Sequence, residues 1–156
     1  MSVAFRRESD EEHLEPKFEL PIPPGPNLVT PRGKQLIAVK VAELEAAVAA
    51  ESDETRRQSI ERDLRYWRTR RATAELAESP APGEVDIGSR VTFRQGAQAR
   101  TIEIVGTDEA DPAAGRIGFQ APLARALLGG VEGERVDFNG VAEALDILEV
   151  ALDEKA

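Results

Sequence analysis

A chain of 156 residues with 41% apolar, 31% charged and only 4% aromatic side chains has room for a small domain and an extended element, not for one large continuous core. It holds no cysteine and one histidine, His13, which excludes a disulfide frame, a thiolate zinc site and a histidine cluster. The net charge of −9 is unevenly spread: residues 1–29 carry six acids and three bases, residues 30–79 nine and ten, and residues 80–156 fourteen and seven. An acidic C-terminal part is repelled by nucleic-acid phosphate, so autonomous DNA binding is not expected and a protein partner fits better.

The opening MSVAFRRESDEEHLEP lacks the apolar core of a signal peptide. No apolar run of roughly 18 residues follows, so no membrane partner is expected and the cytoplasm is the expected compartment. Residues 1–29 read as a disordered acidic tail and linker, because Pro21, Pro23, Pro24 and Pro26 favour extended backbone and oppose helix. A tail that docks on a partner or on its own domain is the alternative reading.

Residues 30–79 read as an antiparallel helical hairpin, a short coiled coil. Thr30 is a capping residue and Pro31 suits the first helical position, where its missing N–H costs nothing. Ile37, Val41, Leu44 and Val48 step by heptad spacing, and the rhythm returns in Ile60, Leu64, Trp67, Arg71 and Ala74. Leu64 and Trp67 are the expected largest packing unit, with Trp67→Ala costing about 3 kcal/mol or more. Arg71 is expected to pack its stem on the seam. SPAPG, residues 79–83, is the expected stop of the second helix. Between the arms, AAESDETRR sets Glu51, Asp53 and Glu54 at the tip. They are candidate hard-oxygen metal ligands, or only caps and dipole partners for the second helix. That second arm carries Arg56, Arg57, Arg62, Arg65, Arg68, Arg70 and Arg71 against Glu61 and Asp63, so Arg57, Arg62, Arg65 and Arg68 offer a basic face. It is either a solvated surface with pairs such as Glu61 to Arg65 or a stripe for an acidic partner.

Residues 84–151 change period and read as a small α+β domain. VDIGSRVTF and RTIEIVG alternate as strands around the loop RQGAQA, followed by GRIGF, a short helix from Pro122 to Gly129 and Gly130, and ERVDF. VAEALDILEVAL, residues 141–152, fits a helix by its spacing of Val141, Leu145, Leu148 and Leu152, whereas the sheet layout asks for a strand.

VGTDEADPAAGRIGFQAPLARALLGGVEGERV, residues 105–136, resembles the signature of the GreA/GreB transcript elongation factor family. That signature runs Val-Gly-x-Asp-Glu-Ala-Asp-Pro, a Gly-x-Ile strand, then Ser-Pro-x-Ala-Arg-Ala-Leu-x-Gly. It is matched here by Val105, Gly106, Asp108, Glu109, Ala110, Asp111, Pro112, Gly115, Ile117, Pro122, Ala124, Arg125, Ala126, Leu127 and Gly129. NLVTPRG, residues 27–33, is similar to the family's start of a coiled coil, so the resemblance covers about residues 27–150. The departures are Ala121 where the family has a capping Ser, which weakens that cap by about 0.5 to 2 kcal/mol unless Gln120 compensates, and VEGE for Glu-Val-Gly-Asp. ESDE stands where cleavage factors carry Asp-x-Ser-Glu-Asn-Ala.

The resemblance implies an N-terminal coiled coil joined to an FKBP-like domain with one short helix, acting on bacterial RNA polymerase at its secondary channel. The 141–152 segment is then a strand. The implied docking surface is the TDEADP loop and the following helix, with Asp108, Glu109, Asp111, Pro122 and Arg125. Asp108 pairing with Arg125 to brace loop against helix is its structural alternative. The implied chemistry is the polymerase's own RNA cleavage, with no intrinsic cofactor and a Mg²⁺ shared with the polymerase active site. The factor is no enzyme itself and is expected to be a monomer. The tip sequence and a first arm of roughly 22 residues, shorter than the usual family arm by roughly ten, point instead to a channel-binding regulator or inhibitor without cleavage stimulation. A prolyl isomerase is disfavoured by a C-terminal part whose aromatics are Phe93, Phe119 and Phe138. A coiled-coil adaptor unrelated to transcription is a third reading.

Overall fold

The structure, a computed structural model, describes residues 19–153. The tail assigned to residues 1–18 therefore lies outside the described residues. Strand β1 (Leu28–Val29) leads into helix α1 (Pro31–Ala50), which returns as α2 (Glu54–Thr73) and closes with β2 (Glu75–Leu76). Thr30 caps α1, its Oγ1 accepting the Gly33 N–H at 3.1 Å, and Asp53 caps α2 by accepting the Arg56 N–H at 2.9 Å.

Between the helices, burial is deepest near the base and fades toward the tip. Ile37, Val41 and Leu64 are buried, while Leu44, Val48 and Ile60 are half-buried. Two expectations for the second arm are corrected. Trp67 is only half-buried and meets Tyr66 edge-on at 5.2 Å, so its truncation costs less than that of an enclosed ring. Arg71 is exposed, and the arginine carried into the interior is Arg70.

The second helix also ends at Thr73, well before Ser79. The chain straightens at Ala74, and β2 pairs parallel with β1, the Glu75 N–H donating to Asn27 O at 2.9 Å. Asn27 and Val29 are buried beside Thr30, so the last residues assigned to the disordered linker belong to the hairpin base.

The remaining strands are β3 (Ser89–Gln95), β4 (Gln98–Val105), β5 (Arg116–Gly118), β6 (Arg135–Phe138) and β7 (Val141–Leu152). Helix α3 (Pro122–Leu127) lies between β5 and β6. They form one sheet in the order β5-β4-β3-β7-β6, antiparallel except for β4 with β5. Val91, Phe93, Ile102, Ile104, Leu145 and Ile147 are its buried face, closed over by Ala124 and Leu127 of α3. Each such aliphatic or Phe side chain contributes roughly 1.5–3 kcal/mol by leaving water.

The expected loop RQGAQA shrinks to a tight turn, because Gln95 pairs with Gln98 and Gly96 takes a φ of 62°. Segment 141–152 is a strand, as the sheet layout required. Its ladder shifts register between Thr92 and Phe93, which face Glu149 and Ile147 and leave Leu148 as the extra, exposed residue. A bulge moves the buried set from Leu145 and Ile147 to Val150, and that phase jump imitates helical spacing.

Candidate functional site

The TDEADP loop sits where the hairpin base meets the sheet, and its first two acids turn inward. Glu109 Oε1 accepts from Thr30 Oγ1 at 2.7 Å and lies 3.4 Å from the Thr30 and Gly106 N–H groups. Its Oε2 accepts from Arg32 Nη2 at 3.2 Å. Thr30 thus donates to the sheet domain with the same hydroxyl that caps α1. Gly33 is required for this approach, since a Cβ there would lie 2.2 Å from Glu109 Oε1.

Asp108 makes the second half of the latch. Its carboxylate accepts from Arg70 Nε and from the Tyr66 hydroxyl, both at 2.6 Å, and the Arg70 Nη2 donates to Asn27 Oδ1 at 2.8 Å. Side-chain exposure is 3% for Arg70 and 7% for Asp108, so the pair is desolvated but fully engaged. Burial, followed by the hydrogen bond to Asp108 and its charge, pushes the Tyr66 hydroxyl up to about 12, against the opposing pull of Arg70.

This placement changes the roles expected for the signature. Asp108 pairs with Arg70 on the hairpin and not with Arg125. Glu109, with 2% of its side chain exposed, has both oxygens occupied inside the molecule. As placed, these two acids join hairpin to domain and present no free face to a partner.

The outward part of the expected surface is Asp111 and Pro122, both exposed. Pro122 lines an apolar groove of about 540 Å³, together with Ala110, Pro112, Ile117, Leu123 and Phe138, among others, whereas Asp111 does not line it. Arg125 is also exposed but borders a separate hollow with Pro24, Gly25 and Phe119. Gln120 donates to Pro24 O at 2.9 Å and does not compensate, so Ala121, at the N-cap of α3, leaves the helix without a side-chain cap. Sequence reasoning missed Thr30, Arg32, Gly33, Tyr66 and Arg70 as a joint. Their signal was the burial-prone Asn27 to Gly33 stretch together with an arginine one position off the seam.

At the tip the three acids do not converge. Glu51 Oε2 accepts the Asp53 N–H at 3.1 Å, Asp53 caps α2, and Glu54 pairs with Arg57 and accepts from Gln58 Nε2 at 3.2 Å. Among the described residues no group of three or more His, Asp or Glu side chains is gathered to hold a metal. The donor set at this tip does not fit a Mg²⁺ site by itself.

On α2, Arg62 stays near Asp63 at 3.5 Å, Arg65 pairs with Glu19 at 2.5 Å and not with Glu61, and Arg68 pairs with Glu45 at 2.8 Å. Among the described residues no helix is long and apolar enough to cross a membrane.

These features define an α+β protein in which a two-helix arm is latched by buried ion pairs to a small mixed-sheet domain bearing an apolar groove. Residues 79–151 match the family described as transcription elongation factor, GreA/GreB, C-term. Over 114 residues the chain is 34% identical to transcription elongation factor GreA of Rhizobium leguminosarum bv. trifolii, covering 70% of each chain. Against GreA of Thermomicrobium roseum it is 46% identical over 65 residues, 40% of this chain and 42% of that one. A solved GreA/GreB elongation factor from Nitrosomonas europaea is 21% identical with a TM-score of 0.40, over 82% of this chain and 99% of that one. The chain belongs to the GreA/GreB family. It spans about half the length of the first curated relatives it matches, 52%, 42% and 49%.

Proposed function

We propose that this chain is a transcription elongation factor of the GreA/GreB type, binding bacterial RNA polymerase at the secondary channel and modulating elongation from there. The observation that carries the reading is the apolar groove of about 540 Å³ between the signature loop and α3, with Pro112, Ile117, Pro122 and Leu123 in its wall. An open apolar hollow of this size on the surface suits a protein partner. The FKBP-like description of the sheet domain belongs to the same reading, as do a monomeric state and a cytoplasmic setting. With Phe138 as the aromatic side chain in the groove, prolyl isomerisation is poorly served.

The hairpin is then the element that enters the channel. Its first helix has 20 residues, about 30 Å at 1.5 Å per residue. The tip acids are committed to caps and to Arg57, so the reading favours channel occupancy without efficient stimulation of RNA cleavage, and whatever cleavage occurs is the polymerase's own chemistry.

The test is a binding titration of the full chain against RNA polymerase. Pro122→Glu sets a charge in the groove at a first-turn position where an acid suits the helix dipole, so α3 is retained. A loss of about tenfold or more in affinity, with unchanged melting, is expected. Undiminished binding by this variant would reject the groove as the docking surface. Added to backtracked complexes, the protein should release little extra cleaved RNA. Strong Mg²⁺-dependent cleavage, abolished by Asp53→Ala with Glu54→Ala, would overturn the occupancy reading.

A further inference from the structure

Strand β7 holds a strained residue close to its pairing with the groove residue Phe138. Glu143 is exposed, yet its φ is 51°, a left-handed conformation that a residue with a Cβ keeps only where its surroundings hold it. The holder is Asp137 on β6, whose Oδ1 accepts the Glu143 N–H at 2.8 Å. Val136 pairs with Leu145 and Phe138 with Val141, so Asp137 alone on β6 faces Ala142, Glu143 and Ala144 on β7. The bulge thus gives β7 two residues more than its partner strand. The Asp137 carboxylate takes up an amide that the interrupted ladder leaves over.

Beyond this bulge lies the tip of the β6–β7 hairpin, with Phe138 and Val141 on either side of Asn139 and Gly140. A bulge bends its strand and re-aims the side chains next to it. Strands β5 and β6 are opposite edges of the sheet, which four gaps of about 4.8 Å would hold about 19 Å apart if the sheet were flat. Ile117 of β5 and Phe138 of β6 nonetheless line one groove, together with Pro122 and Leu123 of α3. The β6 end is therefore turned in toward the opposite edge, and the bulge is the break in the ladder at which it can turn. Directly paired residues of an antiparallel ladder show their side chains on the same face. The wall begun by the half-buried Phe138 accordingly continues into Val141, which is 58% exposed. Apolar surface left in water beside an apolar groove is surface that a partner can cover.

We propose that the hairpin tip is a contact wall of the groove: Phe138 and Val141 meet an apolar side chain of the polymerase segment seated there, and Asp137 positions both by holding the Glu143 bulge. The inference rests on the groove being the polymerase-docking surface. Asp137 and Glu143 are positioning residues, acting through the backbone of the tip.

The test uses the full chain. Asp137→Ala removes the acceptor, Asp137→Asn keeps an Oδ1 in its place, and Glu143→Val sets a β-branched side chain where φ is positive. In the free protein, Asp137→Ala and Glu143→Val should speed exchange of the residue 143 amide. They should also shift the methyl signals of Ile117 and Leu123, which share the groove with the Phe138 ring. Asp137→Asn should leave both readings near those of the unchanged chain, and melting of Asp137→Ala should change little. Against RNA polymerase, Asp137→Ala, Glu143→Val and Val141→Ser should each weaken binding about threefold to tenfold, and Asp137→Asn should restore it. Pro122→Glu separates the two ways of failing. If it weakens binding while Asp137→Ala and Val141→Ser do not, the groove reading stands and the wall assigned here is overturned. If none of the three weakens binding, the groove reading falls and this inference with it. A residue 143 amide and groove methyls indifferent to Asp137→Ala, or Asp137→Asn binding as weakly as Asp137→Ala, would likewise overturn positioning by Asp137.

Discussion

The two ends of the hairpin use the same residue types for opposite purposes. At the base, Asp108 and Glu109 are buried against Arg70, Arg32, Tyr66 and Thr30, and every oxygen has a partner from a distant part of the chain. At the tip, Asp53 and Glu54 are exposed and Glu51 half-buried, and all three bond within their own turn. Long-range partners make the base acids part of the fold's cooperative unit, whereas local partners leave the tip replaceable. Acid identity alone therefore says nothing about role, and the difference is one of dielectric surroundings and sequence distance.

The largest predicted effect breaks the base. Asp108→Ala leaves the Arg70 guanidinium buried without its counter-charge and should cost about 3–5 kcal/mol in denaturant unfolding. Adding Arg70→Met removes the orphaned charge, so the double variant should recover part of that loss. If the single variant costs no more than a surface pair, the latch is not part of the cooperative unit.

Tyr66→Phe is the next step down, with a loss of about 1.5–3 kcal/mol for a bond to a charged acceptor. It also carries a pH signature. Because the folded state holds the hydroxyl proton up to about 12 against an ordinary 10.0, its contribution is complete below pH 10 and fades as pH rises toward 12. Tyr66 is the single tyrosine of the chain, so tyrosinate absorbance reports it alone. A midpoint at the ordinary value, or an alkaline stability loss unchanged in the Phe variant, would remove Tyr66 from the latch. Gly33→Ala sharpens the same point: the exchange favours helix by about 1 kcal/mol intrinsically. Displacement of Glu109 should outweigh that gain and leave the variant net destabilised by unfolding measurement.

How much of this was legible in the sequence depended on whether the signal was local. Thr30 with Pro31 announced α1, and β-branched alternation announced β3 and β4, because capping and strand patterning act within a few residues. The latch was not legible, since Arg70, Asp108 and Asn27 are brought together only by the fold and a helical arginine looks the same whether solvated or buried. The 141–152 ambiguity had a local answer that periodicity hid. Asn139 and Gly140 both take positive φ, 53° and 80°, the turn in which Phe138 and Val141 pair. An Asn-Gly step after an extended run is a hairpin signal and outweighs a heptad imitated by a bulge.

The smallest predicted effects belong to the tip. Asp53→Ala removes one cap and should cost about 0.5–2 kcal/mol. Glu54→Ala removes an exposed first-turn charge and its pairing with Arg57, about 0.3–1 kcal/mol before salt screening. Neither loss spreads far, because burial between the helices is already shallow at Val48 and Ile60 and the partners lie within the same turn. The changes should thus appear as faster hydrogen exchange of the α2 first-turn amides while Leu64 and Arg70 keep global protection. Raising salt should shrink the Glu54 effect and leave the Asp53 effect in place, since a capping hydrogen bond has a fixed short geometry and an exposed ion pair does not. A double variant that lowered global protection as much as Asp108→Ala would erase the distinction between the two ends.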